Sequence, residues 1–263
     1  MELIGRISKG TKMDQIYIPK NRSGLASGEY VLIMPLTSKQ GKTSKQFKPY
    51  LYNVKNLEPI KLRIIEDIFN LINKNLEPEN IIITGSFLEP GFKFNDIDIL
   101  ILTEKKVSTE MLKGKISSIM GIKPHIILID TKSLIFGLSS DPIYNLMLSK
   151  CLSLKRFIFN AQRKINYKLL DLNLLKSKTL IDGFEILKGD EKYYLTLNMV
   201  SILLFMRGRK LSKEIINKEI EKLFNIKIED IKENQTKPDF LRKYKKIYNK
   251  TFKIIMKSIK NEK

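Results

Sequence analysis

TGSFLEPGFKFNDIDILIL, residues 84–102, carries the most informative pattern in the chain. It follows the apolar run III, turns at Gly85 and Ser86, and continues into a second apolar run that opens with Asp96 and Asp98. Residues two apart in a strand lie on the same face, about 6.5 to 7 Å apart along the backbone. The pattern therefore predicts two buried strands joined by a loop, with two convergent carboxylates where the second strand begins.

The residue types in this stretch indicate a site for a divalent cation and phosphate. Convergent carboxylates repel each other unless a cation lies between them, and ligation by oxygen alone suits Mg²⁺ or Mn²⁺. Such ions hold the phosphates of nucleoside triphosphates. Gly85 allows the backbone to approach a phosphate, and the hydroxyl of Ser86 and the neighbouring N–H groups can donate hydrogen bonds to it.

The order of these features resembles the polymerase-beta-like nucleotidyltransferase superfamily. Its members have a hydrophobic strand, a Gly-Ser pair, a loop and then Asp-hydrophobic-Asp; here Gly85-Ser86, the loop FLEPGFKFN and Asp96-Ile97-Asp98 match. The resemblance covers roughly residues 57–135, and many members add helices that hold the base and the acceptor. It implies transfer of a nucleotidyl group from a nucleoside triphosphate, with Asp96 and Asp98 as catalytic metal ligands.

Two departures from the family pattern bear on catalysis. Members usually supply a third carboxylate from a later strand, but in KPHIILIDTK the matching position falls near Ile127, which is not acidic. Asp130 is the only carboxylate of this strand and is the candidate third catalytic residue; a cap at the strand end is its alternative. His125 has the parity of Ile127, so it either faces the site or is structural. In place of the arginine that often follows Gly-Ser, Lys93 is the nearest cation for a triphosphate.

Residues 1–36 predict a small β module. The steps Ile18-Pro19-Lys20, Gly24-Leu25 and Gly28-Glu29 resemble the AbrB-like swapped-hairpin domains. In that family two chains interleave their hairpins and basic residues face DNA, which implies a homodimer. A β module that only mediates dimerisation is the alternative. The candidate phosphate contacts are Arg6, Lys9, Lys12, Lys20 and Arg22.

The predicted fold class is α+β, with a mixed-sheet nucleotidyltransferase α/β core, the small N-terminal all-β module and an α-helical C-terminal domain. Residues 37–56 are predicted to be a basic linker, 57–140 the core and 141–263 a basic helical domain. Asn56 is a candidate cap for a helix that ends near Asn75, and a second helix is predicted over residues 108–120.

In the helical region, the segment GDEKYYLTLNMVSILLF predicts a helix capped by Asp190. Lys192 and Tyr193 near its start are candidate contacts for the triphosphate and the base. The alternative is a core helix in which these side chains pack.

Charge is the strongest compositional signal. The chain has 48 Lys and Arg against 28 Asp and Glu, a formal net charge of +20, which favours polyanionic partners; solvation of helix faces by lysine is the alternative. A single cysteine and a single histidine exclude an internal disulfide and almost exclude zinc clusters and histidine-based triads. We expect a cytoplasmic protein without membrane contact, because neither a signal peptide nor an apolar run of about 18 residues is present.

These patterns together predict a metal-dependent nucleotidyltransferase that uses Mg²⁺ or Mn²⁺ and acts on an RNA acceptor such as tRNA. One alternative is a DNA-binding regulator whose degenerate transferase core only senses nucleotide. Another is an enzyme that modifies a protein or a small molecule, with the lysine surplus serving solubility.

Overall fold

The computed structural model divides the chain into two compact units, residues 1–44 and 45–263. The structure describes residues 7–16, 47–105, 107–157, 162–236 and 238–260. In the first unit, strands β1 (Ile7–Ser8) and β2 (Gln15–Ile16) pair in antiparallel fashion. Lys9 and Lys12 are exposed between them. The remaining predicted DNA contacts Arg6, Lys20 and Arg22, and the residues that carry the AbrB-like resemblance, lie outside the described residues.

A five-stranded mixed sheet organises the second unit. Its strands are β3 (Tyr50–Tyr52), β4 (Asn80–Thr84), β5 (Asp96–Leu102), β6 (Lys123–Ile129) and β7 (Cys151–Ser153). They lie in the order β3-β7-β4-β5-β6. Strands β5 and β6 are parallel, and the other neighbours are antiparallel.

Helices cover both faces of this sheet, which explains why β4 and most of β5 are continuously apolar. On one face, Ile83 and Ile99 pack in one core cluster with Ile68 of helix α1 (Pro59–Leu76). Helix α2 (Glu110–Met120) contributes Leu112 and Ile116 to the same cluster. On the opposite face, Ile82 and Leu100 pack with residues of the short helices α3 (Thr131–Ser140) and α4 (Pro142–Leu148).

The rest of the second unit is helical. Its helices are α5 (Tyr167–Asp182), α6 (Gly189–Met206), α7 (Lys213–Phe224), α8 (Ile228–Lys232) and α9 (Pro238–Lys260). Residues 196–205 of α6 are buried on all sides because this part of the helix runs through the centre of their shared core. Buried Tyr244 of α9 donates from its hydroxyl to the carbonyl of Ser177 in α5 at 2.8 Å. In the part of the chain that the structure describes, no helix is both long and apolar enough to cross a membrane.

The structure confirms the mixed α/β class and corrects several boundaries. Two short strands were missed: β3 lies at the end of the predicted linker, and β7 lies in the segment predicted to be helical. The predicted caps are also wrong, because Glu58 precedes α1 where Asn56 was expected, and Lys188 precedes α6 where Asp190 was expected. Asp190 instead lies in the first turn of α6. Cys151 is buried in the core, as its apolar context indicated.

Candidate active site

Residues from the predicted site meet where β4 ends and β5 begins, and this end of the two strands is called the sheet edge below. Strand β4 ends at Thr84, and its antiparallel neighbour β5 begins at Asp96, so the Gly85-Ser86 turn lies beside the start of β5. Thr84 stands opposite Asp98 in the register of the two strands. Four of the predicted residues, Gly85, Ser86, Asp96 and Asp98, are thus brought to the same edge.

The contact between Gly85 and Asp98 defines the geometry of this edge. Gly85 has φ +84° and ψ −163°, a conformation that is essentially restricted to glycine. A Cβ atom at this position would lie 2.1 Å from Oδ2 of Asp98. The carboxylate therefore rests against the Gly85 backbone in space that any other residue would fill. Ser86 opens a short 3₁₀ turn, Ser86–Leu88, and is exposed.

Asp96 and Asp98 lie on the same face of β5, and both are partly exposed. Oδ1 of Asp98 lies 3.1 Å from Nδ1 of His125, which occupies the opposite position on β6. Lys123 occupies the position opposite Asp96. The alternative left open by the sequence is thereby decided, because His125 faces the aspartates.

Asp130 is not part of this cluster. Its carboxylate caps α3, where it accepts hydrogen bonds from the backbone N–H of Ser133 at 2.8 Å and from the Ser133 hydroxyl at 2.7 Å. These bonds hold the pKa of Asp130 below its ordinary value. Asp130 follows His125 by five residues, about 16 Å along an extended strand, so it lies at the other end of β6. The expectation that it joins Asp96 and Asp98 as a third carboxylate is corrected by this placement.

Lys61 holds the loop after Gly85-Ser86, a role that the sequence reasoning missed. Its side chain is fully buried, and Nζ donates to the backbone carbonyls of Glu89 and Gly91, each at 2.6 Å. Nζ also lies 3.1 Å from a carboxylate oxygen of Glu58 and 5.3 Å from the centroid of the Phe92 ring. A signal was present, because residue 61 falls in the helical series of apolar positions that continues at 65, 68 and 72.

Glu58 supports the same loop from the N-terminus of α1. One of its carboxylate oxygens accepts a hydrogen bond from the Gly91 N–H at 2.6 Å, and this bond is the main cause of the lowered pKa of Glu58. On the other side of the loop, the Glu89 carboxylate lies 2.7 Å from Nζ of Lys150 and 3.8 Å from Nζ of Lys213. The loop is therefore held by α1, by the residue before β7 and by the first residue of α7. Lys93, the predicted triphosphate contact, is exposed in this loop.

Lys192 and Tyr193 have different surroundings. Lys192 is buried, with Nζ 4.0 Å from the centroid of the Phe184 ring, and burial lowers its pKa. The Tyr193 hydroxyl donates to Oδ1 of Asn217 at 2.9 Å. Burial is the main cause of the raised pKa of Tyr193, to which the negative charge of Glu89 also contributes. The packing alternative thus describes Lys192, and Tyr193 also packs against the core of the helical region.

Asp96 and Asp98, on one face of β5, are the carboxylates that could hold the predicted divalent cation. Within the described ranges, no group of three or more carboxylate, imidazole or thiol side chains is arranged to hold a metal. Mg²⁺ at phosphate-transfer sites is commonly bound by one or two carboxylates together with substrate phosphates and water. Because Gly85 has no Cβ, one oxygen of Asp98 can lie at the Gly-Ser turn. This arrangement agrees with a metal that is bound by carboxylates and phosphates together.

Comparison with known proteins adds no relative. No protein-family model, curated protein or solved structure matches the chain.

Proposed function

We propose that this protein is a metal-dependent nucleotidyltransferase that moves a nucleotidyl group from a nucleoside triphosphate to an RNA acceptor such as tRNA. The observation that carries the proposal is the contact between Gly85 and Asp98. It joins the Gly-Ser turn and the Asp-x-Asp strand, which are separate in sequence, into one surface with a carboxylate oxygen at the turn. That surface has the donors and acceptors that a metal-bound triphosphate requires.

In this proposal each residue at the edge has a defined role. Asp96 and Asp98 hold the divalent cation, Mg²⁺ or Mn²⁺, which when bound offsets the negative charge of the triphosphate. Gly85 and Ser86 contribute backbone N–H groups and a hydroxyl to the phosphates. Lys61 keeps the loop in place through the two carbonyls that it binds. A site positioned in this way needs little rearrangement when the donor binds.

The basic surface of α9 supports a polyanionic acceptor. Its only described acidic residue is Asp239, in the first turn. Exposed cations occur along its length: Arg242, Lys245, Lys246, Lys250, Lys253 and Lys257. Contacts between these cations and RNA phosphates weaken as the salt concentration rises, because the release of counterions from the RNA then contributes less free energy to binding. Binding of RNA that falls steeply with salt and with charge removal on α9 is therefore expected.

A second candidate function is nucleotide sensing without transfer, in a DNA-binding regulator. The observation that favours it is the position opposite Asp98, which is occupied by His125 and not by a third carboxylate, while Asp130 caps α3. The third carboxylate of the superfamily acts as a base or activates the acceptor hydroxyl. A chain without it can still bind a triphosphate through Asp96 and Asp98.

The two candidates are separated by a transfer assay with matched variants. Each α-labelled nucleoside triphosphate is supplied with Mg²⁺, or with Mn²⁺ as a control, to total RNA and separately to total protein. We expect label on RNA that is lost in Asp96→Asn and Asp98→Asn and kept in Asp130→Asn, which removes a carboxylate from the far end of β6. Absence of label with retained triphosphate binding favours the regulator. Label on protein alone overturns the RNA acceptor.

Metal binding is tested independently by nuclear magnetic resonance. His125 is the only histidine in the chain, so its imidazole resonances are unambiguous. Because its ring touches Asp98, Mn²⁺ bound by the aspartates should broaden these resonances at low occupancy. Asp96→Asn should raise the Mn²⁺ concentration that is needed. Equal broadening in wild type and Asp96→Asn would contradict the metal site.

A further inference from the structure

A cavity lies apart from the aspartates, beside the end of β3. Its volume is about 420 Å³. It lies between the end of β3, the end of α4 and the connection from α6 to α7. Pockets of about 300 to 1,000 Å³ suit small organic ligands, so its size admits a mononucleotide.

This cavity is distinct from the candidate active site. Gly85, Ser86, Asp96 and Asp98 are not among the described residues that line it. Strand β4 lies between β7, which adjoins β3, and β5, which carries the aspartates. Two strand spacings separate β7 from β5, about 10 Å.

The walls of the cavity combine an apolar floor with a cationic rim. Leu148, Phe205 and Leu211 are buried apolar residues of the floor. The rim has Arg163, Arg209 and Lys210, and the described lining contains no carboxylate. A cavity whose charged lining residues are all positive favours an anion, and its apolar floor favours a ligand with an uncharged part as well.

Two features hold the rim ready for a phosphate. The guanidinium carbon of Arg163 lies 4.8 Å from the centroid of the Phe205 ring, and one of its N–H groups donates to the carbonyl of Arg209 at 3.2 Å. A guanidinium held in this way presents a planar set of donors that matches phosphate oxygens. Ser212, which caps the twelve-residue helix α7, also lines the cavity. The positive end of the helix dipole therefore adds to the charge of the rim.

An aromatic wall completes the cavity. The rings of Tyr52 and Phe157 both line it, with their centroids 4.6 Å apart. The Tyr52 hydroxyl donates to the Phe157 carbonyl at 2.9 Å and accepts from its N–H at 3.0 Å, so the two residues are fixed to each other. Aromatic side chains of this kind stack with flat heterocyclic rings.

We propose that this cavity binds a phosphate monoester that carries a flat ring, of the nucleoside monophosphate class. The phosphate is held by Arg163, Arg209 and Lys210, and the ring lies against the apolar floor and the aromatic wall. This site does not depend on the transfer reaction proposed above, since it needs neither the aspartates nor a metal.

The test measures binding of adenosine 5′-monophosphate by calorimetry without divalent cations. The variants are Arg209→Gln, Lys210→Gln and the double variant; both side chains are exposed, and a thermal melt verifies folding. Lys74→Gln, an exposed cation on α1, controls for loss of net charge. Charge-assisted hydrogen bonds to phosphate lead us to expect about ten-fold weaker binding for each cavity variant. Lys74→Gln and Asp98→Asn should retain wild-type affinity.

Fragments of the probe test the ligand class. Inorganic phosphate and adenosine should each bind more weakly than the intact monophosphate, because each lacks one of the two parts that the cavity fits. Equal affinity for inorganic phosphate would overturn the role of the ring. Wild-type affinity in the double variant, or loss of binding in Asp98→Asn, would overturn the cavity as a separate site and assign the monophosphate to the active site. No measurable binding by wild type would overturn the proposal as a whole.

Discussion

Replacement of Gly85 by alanine tests the central contact of the active site. The added Cβ would lie 2.1 Å from Oδ2 of Asp98 and 3.2 Å from its carboxyl carbon. The backbone also has φ +84° at this residue, which strains any side chain. Gly91 in the following loop is a matched control, because it has φ +80° but nothing within 4 Å of an added Cβ.

The expected loss of folding stability in Gly85→Ala has two contributions. A non-glycine residue in a sparsely populated backbone region costs about 1 to 3 kcal/mol, so both variants should lose stability in this range. In Gly85→Ala the Asp98 carboxylate must also move. This side chain is 34% exposed, so it can rotate, at an additional cost of about 0.5 to 1.5 kcal/mol for an unfavourable rotamer. The difference in stability between the two variants should therefore be small.

The two variants should differ strongly in their His125 resonances and in their Mn²⁺ binding. Rotation of Asp98 breaks its 3.1 Å contact with His125 and removes one of the two carboxylates from the proposed metal site. We expect Gly85→Ala to shift the imidazole resonances of His125 and to weaken Mn²⁺ binding at least about ten-fold, which corresponds to about 1.4 kcal/mol. Gly91→Ala should leave both properties as in wild type.

Urea denaturation gives the free energy of unfolding of both variants, and nuclear magnetic resonance gives the His125 spectrum and the Mn²⁺ dependence. Wild-type His125 resonances and wild-type Mn²⁺ affinity in Gly85→Ala would show that Asp98 does not rest against Gly85. Loss of Mn²⁺ binding to the same extent in Gly91→Ala would show that backbone strain alone explains the effect.

Three further predictions concern the residues that support the site and the core. Lys61→Met removes the buried ammonium that donates to the carbonyls of Glu89 and Gly91, and it should lower the free energy of unfolding by about 2 to 5 kcal/mol in a urea titration. Lys113→Met breaks an exposed ion pair and should change the free energy of unfolding by less than about 1 kcal/mol in the same titration. Asp130→Ala should destabilise the fold at pH values above the ordinary aspartate pKa, because the pKa of Asp130 is lowered in the folded state, and this difference from wild type should disappear as the pH falls through the folded pKa. Folded Asp130→Ala should keep its transfer activity at neutral pH. Loss of transfer in the fully folded variant would restore a catalytic role for Asp130. Burial raises the pKa of the Cys151 thiol to about 12, so alkylation of this single cysteine at pH 8 should proceed only as fast as the protein opens. Rapid labelling of the native state would contradict the buried position of β7.

Much of the active site could be predicted from local pattern. Strand alternation puts Asp96 and Asp98 on one face whatever the rest of the chain does, and two apolar runs joined by a short loop tend to pair. The predicted helix over residues 108–120 is confirmed as α2 for the same reason, since its apolar spacing is a local property. The nucleotidyl transfer itself stays a prediction.

Other features depend on partners distant in sequence. Strands β3 and β7 have three residues each, too few to show an alternation. They form because they pair with each other and because β7 also pairs with β4. Asp130 was a candidate for the site because it is the only carboxylate of its strand, although its parity is opposite to that of Ile127. How far along the strand the site lies depends on the register of β6 with β5, which local sequence does not contain. Only the register of β5 with β6 places His125 beside Asp98.

The apolar strands, the glycine turn and the paired aspartates can be predicted from local sequence, because they follow from the properties of residues that are neighbours in the chain. The burial of Lys61 against the loop carbonyls, and the cavity that Arg163 and Arg209 share with Tyr52, depend on tertiary packing. These contacts join residues that are 28 or more positions apart, and their energies depend on burial and distance, which local patterns do not contain.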